Sequence, residues 1–312
     1  MLVKIQGLPN YSKIIIFMLF VIGISTVVYA EETEKSLEKS SFAKEVFQED
    51  FKKVNPPNRT PVFRWDFSEP GIEHNYSYEQ KVKMKNDMQS SFGGGESKNI
   101  EQEMSTKGKL IIKSQGNGTA KMVLKDMKMS MGGSKSETMA QQMPPIVVQE
   151  VNEDGSGSFG DNSLDMMLKT LFPLPQQPIN VGESVDIPVQ MPFNAMGSVL
   201  QATGRSHITL SKYVMVGDRF CAKFNVDTVI SEMQIPKEIK GDYGCSVKGT
   251  SVFYFDVENR VFVSGKIAML MTLSVDAPMP KTNIPEEKST EMPKSSNMTM
   301  VNDNFVQVEL QK

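Results

Sequence analysis

The sequence predicts a mainly β protein: two similar antiparallel β-meander halves forming a curved sandwich, clam or half-barrel, with a short helix between them. Three observations predict it. After residue 60, apolar and polar residues alternate at period two over most of the chain. Gly-, Asn- and Asp-containing turns separate these stretches. Residues 261–275, "VFVSGKIAMLMTLSV", form a strand candidate well beyond the usual length, and strands that long bend or coil.

The first thirty residues lie outside this pattern. Lys4 and Lys13 are their only charges, and the apolar run of residues 14–28 ends in "VYA". This is the layout of a secretory signal peptide, cleaved after Ala30. At 15 residues the run is short for a membrane span. No later segment is long and apolar enough, so the mature chain is expected to have no transmembrane segment.

Residues 31–60 are highly charged. Ala43, Phe47, Phe51 and Val54 recur at helical spacing, so this stretch reads either as a weak amphipathic helix or as a charged N-terminal arm.

The first β half covers residues 61–162. In "FRWDF", Phe63, Trp65 and Phe67 share one face. In "HNYSYEQKVKMK", Tyr76, Tyr78, Val82 and Met84 do the same. "GKLIIKSQGNGTAKMVLKDMKMSM" reads as strand, turn over residues 115–118, strand. Its apolar phase runs on even positions at Met122 and Leu124 and on odd ones at Met127, Met129 and Met131, so a bulge is expected near Asp126. "PIVVQEVNEDGSGSF" reads as a further hairpin turning at residues 152–155.

Residues 163–200 are expected to form a helix and a Pro-rich connector. Leu164, Met167, Leu168 and Leu171 share a helical face, Ser163 caps it and Pro173 stops it. The second β half covers residues 201–312. Ile208, Leu210, Val214 and Val216 are read on one face, as are Phe220, Ala222, Phe224, Val226 and Ile230. A long hairpin turns near residues 258–259, and "MTMVNDNFVQVEL" ends the sequence as a strand. The hairpins starting at Thr106 and Arg205 look alike, each with an Ala near the start of its second strand (Ala120, Ala222), which suggests an internal repeat.

Charge and motif content narrow the function. The formal charge is −3, and −5 without the two leader lysines, with no Lys/Arg-rich run, so nucleic-acid binding has no electrostatic support. The two histidines, His74 and His207, sit in no cluster at zinc spacing. No nucleophile elbow or phosphate-binding loop occurs. No cofactor is implied, and an enzyme is not expected. Cys221 and Cys245 are expected to pair as one disulfide in an exported chain. Their strand parities disagree, so the pairing needs a flip, for which a bulge at Gly249 is the candidate.

Residues 171–187, "LFPLPQQPINVGESVDI", resemble a pattern in an uncharacterised family of exported bacterial β-rich proteins. Leu174-Pro175, Pro178-Ile179 and Val181-Gly182-Glu183-Ser184 match; Val185 stands where that family has Trp. "YVMVGDRFCAKFNV" and "VFYFDVENRVF" are similar to its later hairpins. The resemblance implies an exported β fold, and it carries no activity or catalytic residues.

The chain holds 23 methionines, which are unbranched, adaptable side chains suited to apolar binding faces and to core filling. Met127, Met129, Met131, Met269 and Met271 are the candidate apolar-ligand or core face. The expected function is a non-enzymatic periplasmic or envelope module for an apolar small molecule or an envelope protein partner. A second class is a structural envelope protein acting through protein contacts. A third is a Cu(I)-binding protein using the alternate methionines, since thioethers prefer Cu(I).

Overall fold

Alternation at period two becomes one antiparallel sheet of twelve strands in the computed structural model. The structure describes residues 40–49, 51–90, 98–133, 136–142, 146–155, 174–195, 198–235, 241–278 and 295–311. One helical turn, α1 (Ala43–Val46), precedes β1 (Lys53–Val54). The long strands follow: β2 (Glu73–Ser90), β3 (Lys98–Gly116), β4 (Thr119–Gly133), β5 (Ser136–Gln142) and β6 (Ile146–Asn152). Then come β7 (Ser184–Ala195), β8 (Ser198–Val216), β9 (Arg219–Gln234), β10 (Asp242–Asp256), β11 (Val261–Pro278) and β12 (Ser295–Leu310). The ladder order is β1-β8-β9-β10-β11-β12-β2-β3-β4-β5, with β7 also on β8 and β6 also on β4. β12 therefore sits between β11 and β2 and joins two wings into one sheet.

The sheet is rolled, and residues 63–71 show by how much. Phe63 packs edge-on against Phe224 of β9, ring centroids 4.9 Å apart. Two residues later the Trp65 amide donates to the carbonyl of Glu153, just past β6, at 2.7 Å. β9 and β6 are seven ladder steps apart. A flat sheet would separate them by about 34 Å, far beyond the reach of two residues. The Asp66 amide also donates to the Arg260 carbonyl in the β10–β11 turn. Expected as a strand, the "FRWDF" segment is instead an extended plug. Its alternation is real, because Phe63, Trp65 and Phe67 are buried, but its amides go to separate turns rather than to one ladder.

One face of every long strand looks into this roll. The main core gathers Tyr76, Leu110, Leu124, Leu210, Phe224, Phe253 and Val308 around the plug. The bulge expected near Asp126 is present: Lys107 opposes Lys128 while Lys109 opposes Lys125. Asp126 takes φ 56° there, and a Cβ on the facing Gly108 would overlap the Met127 sulfur. A second phase flip, at Ser211, is a correction. Ile208 and Leu210 face the main core, but the register shift after Leu210 turns Val214 to the outer face.

The outer, convex face differs between wings. On β2–β4 it is solvated and laced with cross-strand ion pairs such as Lys85–Glu101 and Lys113–Glu73. On β8–β12 it is covered by the charged arm. There Phe42 and Val46 of the arm pack with Val214, Cys221, Tyr254 and Phe305. Asp303 of β12 accepts hydrogen bonds from the Ser40 hydroxyl and the Ser41 amide. The arm is thus neither frayed nor a long helix over its described part. Phe47, placed by helical spacing on the apolar face, is instead exposed.

The expected disulfide is overturned. Both cysteines are free and buried. Cys221 opposes Asp256, and Cys245 lies eleven residues back along β10. At about 3.4 Å per residue they are some 37 Å apart, against the ~7 Å a bridge tolerates between Cα atoms. They also face opposite sides of the sheet, in separate clusters. No bulge at Gly249 intervenes, since the β9–β10 register runs unbroken. Burial pushes both thiols up to about 12, with the Asp256 carboxylate adding to the effect at Cys221.

The expected helix starting at Ser163 lies outside the described residues, as does the leader. The Pro-rich connector contains β7, whose Pro188 and Pro192 fall on an edge strand that can spare the amide. No helix among the described residues is long and apolar enough to cross a membrane.

Candidate functional site

Strands of 19 residues extend about 60 Å, so the plug fills only one end of the roll. Beyond it, the concave face carries two separate apolar clusters. On the β8–β12 wing, Leu200, Ile230, Val247, Met271 and Met300 pack together. On the β2–β4 wing, Val82, Met84, Met104 and Met129 do so, with Met131 against them.

The register explains why these side chains meet. Met104 opposes Met131 across the β3–β4 ladder, and Val82 opposes Met104 across β2–β3. On the other wing Val247 opposes Met271, and Leu273 opposes Met300. The five methionines singled out from sequence all face inward but do not form one group. Met127 joins the main core beside Gly108. Met129 and Met131 belong to the β2–β4 cluster. Met271 belongs to the β8–β12 cluster, and Met269 bridges that cluster to the main core.

The seam between the clusters runs along β12, at Asn302 and Asn304. Asn302 opposes Met271 on one side and Met84 on the other; Asn304 opposes Met269 and Val82. These residues were missed in the sequence, although a signal was there. In "MTMVNDNFV" they occupy the even positions shared by Met300 and Val306, where an apolar residue belongs. Gln102 and Thr106 interrupt the same parity in β3.

Charge is segregated. On β2, Lys81, Lys83 and Lys85 alternate with Val82, Met84 and Asn86 and point outward. On β12, Asp303 points outward to Ser40. Among the strand residues with described side chains, the concave face carries no Lys, Arg, Asp or Glu.

The histidines join neither apolar cluster beyond the plug. His74 sits at the plugged end, 6.3 Å from the Trp65 ring. Burial pushes its imidazole below the ordinary value; Arg219 lowers it further and Asp66 opposes. His207 is outward, with Nδ1 2.7 Å from an Asp186 carboxylate oxygen. Among the described residues no group of three or more His, Cys, Asp or Glu side chains could hold a metal ion. No protein-family model and no curated protein matches the chain.

Proposed function

We propose that this is an exported, non-enzymatic binding module that takes an apolar ligand on the concave face beyond the plug. The observation that carries it is the segregation just described. On the described strand residues, charged side chains lie outside and the inner face presents methionines, aliphatic residues and small uncharged polar groups. Methionine adapts to apolar shapes that a rigid aromatic core would reject. Curved sheets with filled ends and apolar inner faces are suited to enclosing lipid-sized molecules.

The leader-like residues 1–30 support export, and the resemblance of residues 171–187 to exported bacterial β-rich proteins is in line with it. The wings are read as two halves of one duplicated unit. Supporting this, Ala120 and Ala222 are both fully buried just after a Gly turn, and each hairpin has a bulge before that turn.

The test is native mass spectrometry of protein purified from the cells that make it, with uptake of an uncharged apolar dye. A co-purifying apolar molecule, or stoichiometric dye uptake, is expected. A protein that carries nothing and takes up no dye is not such a module.

A further inference from the structure

The inner face is apolar but not uniformly so, and its polar atoms are not self-satisfied. Thr106 is 1% exposed and Asn302 4% exposed. Thr106 Oγ1 and Asn302 Oδ1 have no hydrogen-bond partner among the described residues. The same holds for Gln102 Oε1 and Asn86 Oδ1. These four lie on three adjacent strands, β12, β2 and β3, and share the inward parity. Gln102 and Asn302 both oppose Met84, from either side. The amide nitrogen of Asn302 is occupied, donating to the Met300 sulfur at 3.3 Å. Its oxygen is what remains.

A buried acceptor left without a donor is destabilising. The fold satisfies such groups elsewhere on the same face: the Ser206 and Thr228 hydroxyls bond each other at 2.8 Å. A set of unsatisfied acceptors at the seam between two apolar clusters therefore calls for a donor from outside the chain. That donor need not be charged, because among its described side chains the face offers no carboxylate to hold a cation and no Lys or Arg to hold an anion.

Building on the apolar-ligand reading, we propose that the ligand is an uncharged amphiphile. Its aliphatic part lies on the methionine clusters, and its hydroxyl or amide N–H groups donate to Asn302, Gln102 and Thr106.

Displacement of Nile red from the purified full chain tests this, with three probes of equal chain length: monoolein (two hydroxyls), methyl oleate (no donor) and oleate (charged). Monoolein is expected to displace the dye at a concentration at least ten-fold below methyl oleate, with oleate no better than methyl oleate. In Asn302→Leu and in Thr106→Val, the gap should shrink to under about three-fold while the methyl oleate midpoint holds. Thr106→Val keeps the side-chain shape, so it remains informative if Asn302→Leu fails to fold. Equal displacement by monoolein and methyl oleate, or a gap that survives in folded variants, overturns the donor-recognition proposal alone. Failure of Nile red and all three probes to bind overturns the apolar-ligand reading as well.

Discussion

The two ends of the same strands are built differently. At the plugged end, Phe63, Trp65, Phe67, Phe224, Phe255 and Phe262 interlock in edge and stacked contacts, with Trp65 and Phe67 at 5.4 Å. Several buried polar groups there have named partners. Tyr76 Oη donates to the Phe262 carbonyl, and Asp256 accepts from Arg219, the Glu258 and Asn259 amides and the Asn259 side chain. At the other end methionine replaces phenylalanine, and buried acceptors stand open. Interlocked aromatic packing fixes the roll; adaptable methionine packing with open acceptors leaves a face to be completed.

If that contrast holds, Trp65→Ala should have the largest effect. It removes the ring linking Phe67 and Phe262 and should lower stability by about 3–5 kcal/mol, read from the urea midpoint. Loss of less than 1 kcal/mol would mean the plug does not fix the roll. Asp256→Ala follows, at about 3 kcal/mol, because a buried carboxylate with four donors anchors the β10–β11 turn. Chemical denaturation at neutral pH measures it.

Thiol labelling sharpens the comparison under native conditions. Cys245 lies in the β8–β12 cluster beyond the plug, and Cys221 lies under the docked arm. Cys245 is expected to label about ten-fold faster, a difference of about 1.4 kcal/mol in local opening. Equal rates would mean the two ends open together. Titration of two thiols after denaturation in the absence of reductant confirms that no bridge forms.

The smallest effect concerns pH. His74 is held neutral at the plugged end, so its folded-state value lies below the unfolded one. Its contribution is then present above the unfolded value, near pH 6.5, and is lost as pH falls through the lower folded value. Wild type should lose more stability than His74→Gln between pH 7 and 5. Parallel curves would remove His74 from the account.

Much of this was legible before any coordinates. Period-two alternation located β2, β3, β4 and β9 to β12, and the phase change at Met127 announced the bulge at Asp126. Three things were not legible. Alternation cannot distinguish a strand from a plug: Phe63, Trp65 and Phe67 alternate because one side of an extended chain meets the core, with or without a ladder. Cysteine count suggested a bridge, but the strands are so long that neighbours in the sheet can still be tens of ångströms apart. For the site, the methionine face could be read from parity, whereas the role of β12 could not. Nothing local in "NMTMVNDNFVQVEL" says that it pairs with β2.

That pairing sets the order in which the molecule can be assembled. β12 bonds β2 across more than two hundred intervening residues, and it follows the other eleven described strands in sequence. Each wing has its own hairpins and can begin to form alone, but the roll cannot be completed until β12 arrives. Contacts so distant in sequence make folding slow. Until β12 is in place, the facing edges of β11 and β2 stand open, each with a row of unpaired amides and carbonyls.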